Sequence, residues 1–315
     1  MKEQSTTTSP IESAVLKVLA YYHIFHHPLT AKEVRDRVDI SDISQGAVDE
    51  TLSGLLSTGI ISEHSGYYFL PDSETIVERR LNGESRAQKL LGTAHRMSGI
   101  IYWFPFVQAV FISGSLSKGT VAEDADIDYF IITKKNKLWI ARTLLVIFKR
   151  VFLLGSKKYF CVNYFVDEDH LEIPDKNIFT ATEVSTLIPM RGKELWTKFI
   201  EQNSWYKQFY PNIEPGEVAH PKPRLSKRFS KALLEPLFFH SLAEKLDKYC
   251  MKRTYARWTN MYEERYSDKE FELAFRTHRG TSKNHDKNYQ KRVLRAVEEN
   301  LDKAIRQIKT ETVNG

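Results

Sequence analysis

Cysteine is scarce: Cys161 and Cys250 are the only two in 315 residues. They cannot build a disulfide framework and neither has a CxxC neighbour, so a reducing, cytoplasmic setting is expected. An apolar leader core is missing too, because the opening "MKEQSTTTSPIES" is polar, and secretion is not expected. The greasiest run, "LWIARTLLVIFKRVFLLG" (138–155), approaches bilayer length, but Arg142, Lys149 and Arg150 interrupt it. It reads as a buried amphipathic helix, with no membrane partner. Internal repeats and low-complexity tracts are also lacking. What remains, 42% hydrophobic and 27% charged residues, is ordinary for a soluble globular protein, long enough for two or three domains.

Charge is distributed unevenly. Residues 1–72 carry 5 Lys/Arg against 10 Asp/Glu, a net of −5, whereas residues 220–315 carry 22 against 13, a net of +9. A polyanion should therefore meet the C-terminal part.

Helical spacing of Ile11, Val15, Val18, Leu19 and Tyr22 predicts a first helix, ended before Pro28. Thr30 caps a second (Ala31 to Val38), and a third runs from about Ser44 to Thr58, with Val48, Leu52, Leu55 and Leu56 inward and Gly59 as its stop. "IISEHSGYYFL" follows as two short apolar runs around a Ser-Gly turn, a hairpin signal. Three helices and a hairpin resemble a winged helix-turn-helix domain over residues 8–72. What this unit lacks is cation: its third helix exposes Gln45, Asp49, Glu50 and Ser53, and its hairpin carries Glu63. Phosphate neutralisation supplies most non-specific DNA affinity, so a structural or protein-binding role is expected over DNA binding. His23, His26 and His27 cluster at the helix end without carboxylate or Cys partners and read as a solvated terminus rather than a metal site.

Residues 73–103 read as a connecting helix. Residues 104–175 then alternate strand (Val107 to Ile112), Gly-Ser turn, strand (Asp126 to Thr133), helix (Leu138 to Leu154) and strand (Lys158 to Val166), an α/β unit. From 176 to 315 a mostly helical region is expected, broken by a linker at 212–224. The aromatics Tyr255, Trp258, Tyr262 and Tyr266 read as a core stripe, and "NSWYKQFYPN" (203–212) as packing onto the α/β unit.

The chemistry concentrates in "FISGSLSKGTVAEDADIDYFIIT", residues 111–133. Residues two apart in a strand point the same way, so Asp126 and Asp128 present parallel carboxylates that repel one another. A hard cation taking carboxylate and phosphate oxygens together relieves that repulsion. Gly114 lets the backbone turn closely, Ser115 offers a hydroxyl and an N–H at a helix start suited to phosphate, and Lys118 adds a charge.

Gly114-Ser115, ten residues, then Asp126-Ile127-Asp128 between apolar strands resembles the DNA polymerase beta-like nucleotidyltransferase superfamily. "GSLSKGT" before "DIDYF" also looks like template-independent oligoadenylate and cyclic-dinucleotide synthases. The resemblance covers about residues 105–168. It implies an α/β (α+β) nucleotidyltransferase fold that moves a nucleoside monophosphate from a nucleoside triphosphate to an acceptor hydroxyl. It also implies Mg²⁺ or Mn²⁺ on Asp126 and Asp128, and phosphates on Gly114, Ser115 and Lys118. The acceptor is open: an RNA end or other polyanion, a second nucleotide, a protein side chain or a small molecule.

The family pattern asks for a third carboxylate on the next strand, where this chain has Asn163, with Asp167 at the strand's far end. Either Asp167 serves, two carboxylates suffice, or the chain is an inactive nucleotidyltransferase-fold module that binds or regulates. Arg276, Arg279, Lys283, His285, Lys287, Lys291 and Arg292 form a basic stretch, either a phosphate or RNA contact or a solvated loop.

Overall fold

The computed structural model describes residues 9–71, 75–156, 158–219, 240–284 and 289–314. In chain order α1 (Pro10–His23), β1 (Leu29–Thr30), α2 (Ala31–Arg37), α3 (Gln45–Ser57), β2 (Ser62–His64) and β3 (Tyr67–Phe69) come first. Their starts are written locally: Ser9 with Glu12, and Thr30 with Glu33, close reciprocal capping boxes, and Ser44 caps α3. Ser65 and Gly66 take positive φ (54° and 81°), the two-residue turn that matches strand twist, and join β2 to β3. The three strands form a small antiparallel sheet in the order β1-β3-β2.

The long helix α4 (Thr75–Trp103) leads to the central sheet. Its Arg80 is buried, pairs with Glu33 and Glu84 at 2.8 Å each, and donates to the Pro28 carbonyl. The helix is thereby tied to the first unit by charge as well as by packing.

Next come β4 (Val107–Ser113), the single turn α5 (Gly114–Ser117), β5 (Asp128–Thr133), α6 (Leu138–Phe152) and β6 (Cys161–Asp167). They are followed by α7 (Ile178–Thr186), β7 (Ile188–Arg191), α8 (Lys193–Gln202), α9 (His240–Tyr262), α10 (Asp268–Ala274), β8 (Thr277–His278), β9 (Thr281–Lys283) and α11 (Tyr289–Asn314). Six strands form one mixed sheet in the order β7-β4-β5-β6-β9-β8, with β5 and β6 parallel and the other neighbours antiparallel. The class is therefore α+β. One face buries Val110, Ile112, Tyr129 and Ile131 under α4, α6 and α9. The other buries Phe111, Phe130, Ile132 and Val166 under α7, α8 and the aromatic segment with Trp205, Tyr206 and Tyr210.

Several expectations change. The region after 176 is not simply helical: β7, β8 and β9 supply half of the six strands. Strands this short carry too little alternation to register in sequence. The sheet therefore unites residues on both sides of 175. The acidic first unit is likewise not self-contained, since Val293, Val297 and Ala304 of α11 share its core with Val15, Leu19 and Leu52. His27 is no solvated terminus. It is buried against Tyr22 (ring centroids 5.7 Å), and burial, then Arg80, lower its pKa to about 3. The aromatic stripe holds at Trp258, which is buried, and at Tyr262, stacked on Phe275 at 4.6 Å, whereas Tyr255 is exposed rather than in the core. The linker region is described only to 219.

Candidate functional site

Because β4 runs antiparallel to β5, and β6 parallel to it, the end of β4 and the starts of β5 and β6 meet at one edge of the sheet. Ser113 pairs with Asp128, and Asp128 with Cys161. Gly114 turns there with φ +69°. A Cβ at Gly114 would collide with the Asp128 carboxylate and lie 3.1 Å from its Cγ. Glycine is required at this position for two reasons, the left-handed backbone and the close approach.

The strand opens at Asp128 rather than at Asp126, which stands in the segment leading in. Ile127 is nonetheless held in extended pairing, its N–H donating to the Lys158 carbonyl at 3.0 Å and its own carbonyl accepting from Cys161 N–H at 3.0 Å. Ile127 is buried on the opposite face, while Asp126 and Asp128 are both half-buried. Burial raises the Asp128 pKa to about 6. Glu183 and Asp126 add repulsion, while Cys161 by hydrogen bonding and Lys118 by its charge oppose the rise.

Glu183, on α7, has no signal in sequence that would place it here. It pairs with Lys118 at 2.8 Å, and Lys118 also donates to the Gly114 carbonyl at 3.1 Å. The lysine is therefore positioned across the glycine turn by a carboxylate from another element. Ser115 is half-buried at the start of α5, whose single turn carries little dipole.

Asn163 and Asp167 separate. Asn163 sits at a register shift in β6 and donates its amide to Asp128 Oδ1 at 2.7 Å, while its Oδ1 accepts from Cys161 Sγ at 3.1 Å. Burial, then Asp128 and Asp126, push the Cys161 thiol up to about 12, so it remains a neutral donor. Asp167 pairs with Thr133, at the other end of the strands, roughly 17 Å away for five residues at strand rise. It is 1% exposed and accepts from Asp169 N–H at 3.1 Å, with His170 Nδ1 at 2.6 Å. Asp167 therefore organises a turn and is removed from the site.

A cavity open to solvent has Ser113 and Glu183 in its wall beside Phe130, Tyr164, Phe179 and Tyr289. Lys283, Asp175 and Gln290 supply its polar groups. Part of the basic stretch is spent on partners within the chain, while Arg292 is exposed. Arg276 makes two 3.0 Å bonds to Asp175, Lys283 is buried in β9 at 3.8 Å from Asp175, and Lys291 pairs with Glu270 at 3.0 Å. Arg279 is half-buried, and His285 and Lys287 lie outside the described residues. Among the described residues, the part from Thr277 to Lys283 is the β8–β9 hairpin.

Among the described residues no three His, Cys, Asp or Glu side chains gather as a closed metal cage. A magnesium ion completes its shell with water and phosphate oxygens beside one or two carboxylates, and Asp126 and Asp128 are the residues that would hold one here. Among the same residues no helix is long and apolar enough to cross a membrane. No protein-family model, curated protein or solved structure matches the chain.

Proposed function

We propose that the chain is a metal-dependent nucleotidyltransferase, transferring a nucleoside monophosphate from a nucleoside triphosphate to an acceptor hydroxyl with release of pyrophosphate. The observation that carries the reading is the contact of the Gly114 turn with the Asp128 carboxylate. It explains why a Gly-Ser pair and an Asp-Ile-Asp run ten residues apart belong to one site. The mixed sheet with parallel β5 and β6 supports a polymerase beta-like fold. The helix, short strand, helix, helix and hairpin order of the first unit supports a winged helix.

Asp126 and Asp128 would hold Mg²⁺ or Mn²⁺, which supplies charge neutralisation on the phosphates. The chain's own contribution is positioning. Gly114 lets backbone approach the phosphates without a side chain, Ser115 offers a hydroxyl, and Lys118 carries the positive charge, steered by Glu183. The aromatic cavity beside Ser113 suits the flat or apolar portion of one substrate. The acidic face of α3, where Asp49 and Glu50 are exposed, suits a protein contact more than a nucleic acid.

A second reading rests on Asn163. Its amide already satisfies Asp128 where a third carboxylate would stand, which favours a binding module without turnover. Incubation with each labelled nucleoside triphosphate and Mg²⁺ or Mn²⁺, scored for pyrophosphate and labelled product, separates the two. Turnover abolished by Asp126→Ala supports transfer. Nucleotide binding without pyrophosphate supports the module, and neither binding nor turnover refutes both.

A further inference from the structure

The acidic site leaves unused the run that sequence marks as greasiest. The first half of α6 is buried as expected, at Leu138, Trp139, Ile140, Ala141, Arg142 and Leu145. Its last turns are not: Ile147 is 51% exposed, Val151 62%, Phe152 70%, and Leu154, just past the helix, 93%. Phe148 ties this end to its surroundings, with ring centroids 5.0 Å from Phe152, 5.3 Å from Phe104 and 5.6 Å from Phe160. Trp103 (51% exposed) and Tyr159 (39%) are the exposed chain neighbours of Phe104 and Phe160. Leu154 does not project through fraying. Leu153 N–H and Gly155 N–H both donate to the Lys149 carbonyl, at 3.1 and 3.0 Å, and Ser156 N–H donates to Leu153 at 2.8 Å. The turn is closed, with Leu154 at φ +49°, and it holds a leucine out into solvent.

Charge within the two segments that carry the patch is of one sign, while the acidic run Glu123, Asp124, Asp126 and Asp128 lies between them in sequence. Residues 129–166 contain eight Lys/Arg and no Asp or Glu, and residues 85–122, which include Trp103, contain no Asp or Glu either. Lys149, Arg150 and Lys158 stand at the patch itself, Lys158 Nζ lying 5.6 Å from the Tyr159 ring centre.

We propose that this tip, Trp103 with the end of α6 and its closing turn, is a docking surface for an anionic lipid bilayer. Projecting Phe and Leu side chains enter the acyl boundary, an aromatic pair lies at headgroup level, and the cations meet lipid phosphate. The association is peripheral, consistent with the lack of a spanning helix among the described residues. A second copy fits less well, since a two-fold contact on this face sets Lys149, Arg150 and Lys158 against their own counterparts. The proposal goes beyond the transferase reading and does not depend on it. The Lys158 carbonyl holds Ile127 N–H, so the backbone at the edge of the patch adjoins the segment that carries Asp126 and Asp128.

The test is co-sedimentation of the full chain with vesicles of phosphatidylcholine alone and of phosphatidylcholine mixed with phosphatidylglycerol. Binding to the mixed vesicles, weakened by salt, is expected. Phe152→Ser with Leu154→Ser should reduce it at least about tenfold, as expected for losing two inserted apolar side chains. Lys149→Gln with Arg150→Gln should remove the preference for anionic lipid; both pairs are checked for an unchanged circular dichroism spectrum. The proposal is overturned if the chain ignores both vesicles or if the Ser pair binds as the wild type does. It is equally overturned if sedimentation velocity shows a dimer that the Ser pair splits, which would make the tip a self-interface.

Discussion

Asp128→Asn should make the protein more stable, and only above a definite pH. Burial, with Glu183 and Asp126 nearby, raises this carboxyl from 3.8 to about 6. A shift of about two units at 1.36 kcal/mol each corresponds to ~3 kcal/mol for ionising the group in the fold rather than in the unfolded chain. The side chain is half-buried, so water screens part of this and ~1–2 kcal/mol is the working expectation. The sign follows from linkage: below pH 3.8 the carboxyl is protonated in both forms and costs nothing, between 3.8 and about 6 the penalty grows, and above about 6 it is complete. The amide keeps an oxygen for the 2.7 Å bond from Asn163 and removes only the charge. Urea unfolding of both proteins, at one pH well above 6 and one near 4, reads the difference as a midpoint change at constant slope. A midpoint that falls at the higher pH, or rises equally at both, would mean that the carboxylate is not under repulsion and would remove the physical reason for a cation there.

Asn163→Asp should tighten magnesium binding, read by calorimetry, because a third carboxylate then stands beside Asp128. Asp167→Asn should leave that binding unchanged while costing ~1–3 kcal/mol of stability, since it weakens a buried hydrogen-bonding group at the far end of β6. Gly114→Ala should cost ~1–3 kcal/mol from the left-handed backbone alone and displace Asp128, so any transferase activity should fall with a normal circular dichroism spectrum. Arg80→Met should destabilise by ~1–3 kcal/mol, because Glu33 loses its cation while keeping its bonds from Thr30. Although burial pushes the Glu33 pKa up, the Arg80 hydrogen bond and charge and the Thr30 N–H bring it from 4.5 to about 2. The pair's contribution is thus whole above pH 4.5 and lost as pH falls toward 2, and the variant should lack that acid-sensitive component in a pH series of unfolding midpoints.

Sequence alone carried whatever depends on neighbours along the chain. Capping residues Ser9, Thr30 and Ser44, the Ser-Gly turn and the apolar periodicity of α1 and α3 are local signals, and each element stands where they put it. The closeness of Gly114 to Asp128 was legible for the same reason, since one turn and one strand start hold the two. Tertiary structure decided the partners. Glu183 reaches Lys118 from α7, and Asn163 rather than Asp167 reaches Asp128, because these pairings are made between elements far apart in the chain and, in β6, at a register shift that simple alternation does not foretell. The strands β7, β8 and β9 were equally hidden, being only two to four residues long, with β7 and β9 held by β4 and β6, which lie far from them in sequence. The cations of the C-terminal stretch looked available in sequence. Folding turned Arg276 and Lys283 toward Asp175, and only the tertiary structure could show that their charge is spent internally.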